Sequence, residues 1–242
     1  MSTLRSYIFL DRLQPQLMCL LGSTARGFLP RHNDAAMVIE VAPGMDIEWL
    51  TDIALKHDDV KPGNLVVERQ FGYLEFHGQS SSSVKSAGAA VLDAMGVSEK
   101  SVIKPEILAS KVIDRVDGYH AFLINRSKAG SMLLPGESLY IMEMTTSSYA
   151  LLVANEAEKA ANVKLVDCRF MGPAGRLYLS GTASDVRAAA AVAEAVIRDA
   201  EVPREHRRFA TTNPRPGAHR FGCQSHGRRH IEGISDRVDA AL

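Results

Sequence analysis

Glu68-Arg69 sets a carboxylate beside a guanidinium at the end of an apolar, β-branched run, Leu65-Val66-Val67. Gly72 follows, where a turn is allowed that residues with a Cβ resist. Taken alone, such a pair is a solvated ion pair at a strand end, contributing roughly 0–1 kcal/mol. Lys56 and Lys159 each stand near the C-terminus of a helical stretch, where a lysine complements the helix dipole. Cys223, His226 and His230 have the ligand-like spacing C-x2-H-x3-H, but no second half-site accompanies them, so no metal is expected. Gly172-Pro173-Ala174-Gly175 resembles a phosphate loop only superficially, because a strand follows it and no G-K-[ST] does. Cys19 and Cys168 sit in apolar stretches, as small core residues do. Asp58-Asp59 ends a helix and reads as solvated. No Ser/His/Asp or Cys/His arrangement stands out, so the residues give an enzyme, or a cofactor, no positive support.

The chain has 242 residues, enough for one large domain or two. Its 28 basic and 28 acidic residues cancel and 46% of residues are hydrophobic, which gives no basis for a nucleic-acid or membrane partner. No apolar run approaches the roughly 18 residues of a membrane span, and the N-terminal apolar segment is too short to be read as a signal peptide. Three widely spaced cysteines argue against a disulfide framework and for a cytosolic location.

These residues are positioned by a chain that repeats itself. An offset of 103 residues lays Val38–Val41 over Ile141–Met144 and pairs Glu40 with Glu143, Ala54 with Ala157 and Lys56 with Lys159. It continues through Gly72/Gly175, Leu74/Leu177 and Gly78/Gly181, and upstream through Asp11-Arg12/Asp114-Arg115 and Gly27/Gly130, with a small compensating insertion expected near Pro30. Ser6–Leu13 and Ser110–Val116 are predicted strands. Gln16–Leu21 and Ala121–Asn125 are apolar elements of either type. Ala36–Val41 and Ser138–Met144 are strands; Met45–His57 and Tyr149–Ala161 have helical spacing. The strand pairs Asn64–Val67 with Tyr73–His77, and Lys164–Arg169 with Arg176–Leu179, flank Gly-containing turns. Ala87–Met95 and Asp185–Ala200 close the copies as helices, the second capped by Ser184. The order predicts an α+β fold, helices on a mostly antiparallel sheet in each copy.

Val97–Pro105 reads as the linker, giving a first domain over 1–104 and a second over 105–202. The remainder, 203–242, is rich in arginine and proline up to Arg229 and is expected to be disordered. Ile231, Ile234, Val238 and Leu242 then recur at helical steps.

Ala154–Val166, A-N-E-A-E-K-A-A-N-V-K-L-V, followed by G-P-A-G-R-L-Y-L-S-G, resembles the core of the bacterial microcompartment shell domain. Leu4–Leu17, Gly27–Pro30, Glu40–Met45, Thr51–Lys56, Val66–Gly72 and Leu123–Arg126 narrow the resemblance to tandem-domain carboxysome shell proteins with a gated pore. The resemblance covers roughly residues 4–200 and implies two circularly permuted domains. It further implies a homotrimer forming a flat pseudohexamer, whose two repeats per chain close a heterologous ring, and stacking of two trimers. Glu68 and Arg69 fall on the gating pair, with Met171 and Gly172 as their second-copy counterparts. Val67, Gln70, Phe71, Gly72, Phe170, Met171, Gly172 and Pro173 complete the pore loops. Lys56 and Lys159 match the edge lysines where neighbouring hexagons tile. The implied partners are other shell hexamers and pentamers, with small anionic metabolites such as bicarbonate, ribulose bisphosphate or 3-phosphoglycerate in transit. The implied location is the carboxysome shell in the cytoplasm. Near a symmetry axis, an ion pair at 4 Å gains roughly 4 kcal/mol before desolvation, and desolvation reduces that. The alternative reading is a cytosolic duplicated-domain enzyme or small-ligand-binding protein.

Overall fold

The computed structural model describes residues 2–201. The C-x2-H-x3-H set, the 203–242 tail and its terminal helical pattern lie outside these residues. The first repeat runs β1 (Thr3–Leu10), α1 (Pro15–Thr24), β2 (Ala35–Ala42), α2 (Asp46–His57), β3 (Lys61–Glu68), β4 (Phe71–Gly78) and α3 (Ser81–Met95). One 3-10 turn, Glu99–Ser101, sits in the linker. The second repeat runs β5 (Glu106–Ile113), α4 (Gly118–Asn125), β6 (Ser138–Thr145), α5 (Tyr149–Ala160), β7 (Lys164–Arg169), β8 (Gly175–Gly181) and α6 (Ala183–Glu201). Each repeat has one four-stranded antiparallel sheet, in the orders β1-β2-β4-β3 and β5-β6-β8-β7.

The offset of 103 holds through both copies and needs no insertion near Pro30. Glu40 faces Tyr73 across β2 and β4, and Glu143 faces Arg176 across β6 and β8. The register shift between Leu4 and Ser6 recurs between Ile107 and Ala109. A Cβ on Gly72 would lie 2.3 Å from the Gly44 carbonyl oxygen, and one on Gly175 2.4 Å from that of Ser147. At both sites the strand passes too close to a backbone for any side chain.

β2 is buried at nearly every position because both faces are covered. Alternation sends Met37, Ile39 and Val41 to α2 and α3, with Ile47, Leu50, Val84 and Val91. Ala36 and Val38 share the opposite face with Ile8, Leu10 and the α1 leucines, and this core continues into Tyr140, Leu151 and Val153 of the second repeat. The repeats therefore share apolar core across their boundary.

Several boundaries differ from expectation. β1 and β5 start three and four residues earlier than the hydrophobic pattern indicates. Leu13 and Val116, expected in strands, are buried loop residues whose N–H groups donate to the Asp34 and Glu137 carbonyls. Both undecided apolar elements are helices. α1 opens with Pro15, which fits a first helical turn, and α4 is capped by Asp117, which accepts from the Tyr119 N–H at 2.8 Å. α3 starts at Ser81, not Ala87, because Ser80 caps it. In α6 the cap is Thr182, not Ser184: its hydroxyl accepts from the Asp185 N–H at 3.3 Å.

Candidate functional site

The β3–β4 connection is a two-residue hairpin in which Glu68 pairs with Phe71. Arg69 sits at φ +56, a conformation a residue with a Cβ adopts at a cost of roughly 1–2 kcal/mol. Its Nε lies 3.7 Å from Glu68 Oε1, with the side chains 82% and 48% exposed. Both charges at the tip thus face solvent. Beneath it Phe71 is buried, and the Arg5 guanidinium lies 3.8 Å from its ring centroid.

The corresponding loop between β7 and β8 is built differently. Phe170 is buried in the shared core, Met171 packs against it, and Gly172 takes φ +111. The Gly172 N–H donates to the Tyr73 hydroxyl at 2.7 Å, and that hydroxyl lies 2.9 Å from the Gly172 carbonyl and 2.7 Å from Ser147 Oγ. With one proton, Tyr73 donates to one of these oxygens at a time. Burial, with the Glu40 charge adding, pushes its phenol up to about 12, so it stays a neutral donor.

Both loops meet at the boundary between repeats. Glu68, Arg69, Gln70, Phe71, Gly172 and Pro173 line one shallow cleft of about 280 Å3. Val67 and Gly72 stand behind it in the sheet, while Phe170 and Met171 line a second cleft, about 430 Å3, with Arg26, Asn64 and Arg169. Behind the loops, buried Glu40 is the hub of a polar network. Arg5 Nε donates to its Oε1 at 2.6 Å, and Ser148 Oγ donates to its Oε2. Because the Ser148 proton is used there, the Ser6 hydroxyl, 2.8 Å away, must donate to Ser148. Sequence reasoning missed Arg5, Tyr73, Ser147 and Ser148. The available signal was Glu40 itself, a lone carboxylate in the apolar run V-I-E-V, which a buried strand tolerates only with a partner.

The two lysines differ. Lys56 is exposed and donates to Asp52 at 2.7 Å one turn away. Lys159 spans the repeat boundary, donating to Asp11 at 3.0 Å and Glu156 at 2.8 Å. Burial alone would lower its pKa, but these hydrogen bonds and the carboxylate charges outweigh it and raise the value. Cys168 is a core residue whose thiol burial pushes up, with Asp167 adding, so it is no nucleophile. Among the described residues no group of three or more His, Cys, Asp or Glu could hold a metal ion, and no helix is long and apolar enough to cross a membrane.

Residues 4–101 match the family described as the CsoS1D N-terminal domain, and residues 138–208 match the BMC domain. The chain is 43% identical to the carboxysome shell protein CcmP of Synechococcus elongatus over 84% of its own length and 95% of the relative's. It is 44% identical to the carboxysome shell protein CsoS1D of Prochlorococcus marinus over 78% and 75%. Among solved structures it is similar to the fused permuted hexameric shell protein MSM0275 of the RMM microcompartment, with TM-score 0.81 and 57% identity over 84% and 100% of the two chains. It is also similar to the double-ringed trimeric shell protein MSM0271 of the same microcompartment, with TM-score 0.79 and 37% identity over 82% and 97%. Two α+β repeats in one register agree with these relatives. The chain belongs to the tandem BMC-domain family of carboxysome shell proteins, structural rather than enzymatic components of a microcompartment shell.

Proposed function

We propose that three chains close into a pseudohexameric ring with the Glu68–Arg69 hairpins around its axis as a gate, and that such rings tile the carboxysome shell. One observation carries this. Within the chain, α1 is seated on the second repeat: Glu158 accepts from the Gln16 and Leu17 N–H groups at 2.9 and 3.2 Å, and Asn155 from the Gln14 N–H at 3.0 Å. Its counterpart α4 has no such seat among the described residues. Tyr119, Phe122 and Leu123 are 84%, 60% and 63% exposed, and Met45, Trp49 and Leu55, on and just before α2, are exposed as well. An apolar face and a differently placed receiving face on one chain make a heterologous contact, which closes a ring when repeated. The trimeric and hexameric descriptions of the two similar structures support closure, and the double-ringed one supports stacking of two trimers. The division at 104/105 places one repeat in each sixth of the ring.

Light scattering is expected to give a trimer or a pair of trimers. Phe122→Asp should yield monomers that keep their fold; a monodisperse wild-type monomer at micromolar concentration overturns the ring. In the ring, Arg69→Ala removes plug and partner and leaves carboxylates that repel, giving a constitutively open axis. Glu68→Ala leaves three arginines, and small anionic metabolites should cross it more readily than the Arg69→Ala pore. A crystal structure of Arg69→Ala with a closed axis defeats the gate. At the ring edge, Lys56→Asp should block sheet formation with other shell hexamers and pentamers while trimers survive. It is a cleaner test than Lys159→Asp, which would also break the bond to Asp11.

A second reading of the shell's cargo has its own observation, the 57% identity with a shell protein of the RMM microcompartment. Purifying shells that contain this chain and identifying the enclosed enzyme separates the two: the carboxysome resemblance implies Rubisco as the cargo, and a shell without it favours the second.

A further inference from the structure

The boundary inside the chain is a template for the boundary between chains. Under the offset of 103, Tyr73 answers to Arg176, Glu40 to Glu143, Ser147 and Ser148 to Gly44 and Met45, and Gly172 to Arg69. The correspondence is geometric as well as sequential, since Glu143 faces Arg176 in the register in which Glu40 faces Tyr73. Inside the chain the Tyr73 and Glu40 side chains are buried under the second repeat, and Tyr73 holds the backbone of Gly172. The same place on the second repeat carries an ion pair, Arg176 Nε to Glu143 Oε1 at 2.9 Å, with side chains 49% and 31% exposed. Among the described residues nothing covers it as the second repeat covers Glu40.

We propose that Arg176 and Glu143 are the seat of the neighbouring protomer's Glu68–Arg69 hairpin, so that each gate is completed by a second copy of this chain. The inference rests on the ring proposed above. The seat and the hairpin are each a neutral pair of opposite charges. Face to face they form an alternating quartet in which Glu68 meets Arg176 and Arg69 meets Glu143. Moving apart, each pair closes on itself, as both do in the single chain. Neither arrangement strands an unpaired charge, so the desolvation penalty that makes lone buried ions prohibitive does not separate the two states. A small gap of this kind is what a ligand or a change of salt can overturn. Where the first repeat grips the second repeat's loop through a tyrosine and a backbone, the second repeat offers the neighbour's hairpin an exchangeable charge contact. Arg176 and Glu143 are positioning residues for the gate.

Backbone hydrogen exchange in the assembled full-length protein tests this. Arg176→Glu should speed exchange across residues 68–71 about fivefold, in line with the loss of one partly exposed ion pair, and leave residues 170–174 unchanged because Tyr73 still holds them. Glu68→Arg should do the same. The double variant Glu68→Arg/Arg176→Glu restores complementary charges and should return hairpin exchange to within about twofold of wild type, which a purely structural role for Arg176 would not produce. Should a single reversal prevent assembly, recovery of the trimer in the double variant supports the seat, and failure of the double variant to assemble overturns it. Additive effects of the two reversals in intact trimers also overturn it while leaving the ring standing. A wild-type monomer by light scattering defeats the ring and the seat together.

Discussion

β1 and β5 occupy the same place in their repeats and pair in the same register, yet five of the eight residues of β1 are buried and none of β5. The difference follows from what lies against each. β1 and α1 are covered by the second repeat, and the residues there have become a core with a buried polar hub at Glu40. β5 and α4 face outward with Leu108, Tyr119, Phe122 and Leu123 exposed, and the adjoining β6 and β8 carry the half-exposed Glu143–Arg176 ion pair. The two pore loops differ in the same sense. One is bolted through Tyr73 to its own chain; the other carries its charges into solvent. A duplicated domain has thus specialised one boundary for permanence and kept the other suited to a partner.

The largest expected contrast lies between the two strand glutamates. Glu40→Ala strips a buried carboxylate from Arg5 and Ser148 and should cost about 3–5 kcal/mol, whereas Glu143→Ala should cost the isolated chain under about 1 kcal/mol. Urea midpoints of both variants in the monomeric Phe122→Asp background measure this, and equal costs would break the comparison.

Next come the loops. Gly172→Ala places a Cβ at φ +111 and should destabilise by about 1–3 kcal/mol. Arg69→Gly relieves φ +56 but frees the unfolded chain by a similar amount, so its midpoint should move by less than about 0.5 kcal/mol. Tyr73→Phe leaves Gly172 without its hydroxyl partner and should cost about 1–2 kcal/mol. It should also raise exchange at Gly172 while the 68–71 hairpin is unchanged. Faster exchange in both loops would show that they move as one unit.

The smallest effect concerns Glu75, which has Tyr178 as its counterpart in the second repeat. Burial raises its carboxyl above the ordinary value of 4.5, against the hydrogen bond and charge of His77. A carboxyl with a raised folded pKa weakens the fold as pH climbs from the unfolded value through the folded one. Glu75→Gln keeps the neighbour to His77 and removes the charge. Its melting temperature should exceed that of wild type at pH 7, and the gap should close as the pH falls below 4.5. A gap that widens on acidification would reverse the sign.

Much of this was legible in the residues. The 103-residue offset, six of the eight strands near their observed places, the helices α2 and α5 and the charged tip at Glu68-Arg69 follow from local pattern and from glycines that a close backbone approach requires. Such features are written within a few residues of one another, and period and chemistry reveal them. The ends of β1 and β5 were misplaced because Leu13 and Val116 are apolar for burial in a loop, which hydrophobicity alone does not distinguish from burial in a strand. The serine-rich start of α3 was missed because its helicity rests on a cap and on packing rather than propensity.

By itself the sequence determined the duplication, the two kinds of element, the charge at the tip and the family. Only the tertiary structure decided which repeat face is filled. It also decided that Lys159 is bound across the boundary while Lys56 is held by its own helix, and that a tyrosine grips a glycine 99 residues away. The physical reason is separation along the chain. Contacts such as Tyr73 with Gly172 or Ser6 with Ser148 join residues whose local patterns are independent, and they exist only once two sheets and their helices have packed in one arrangement.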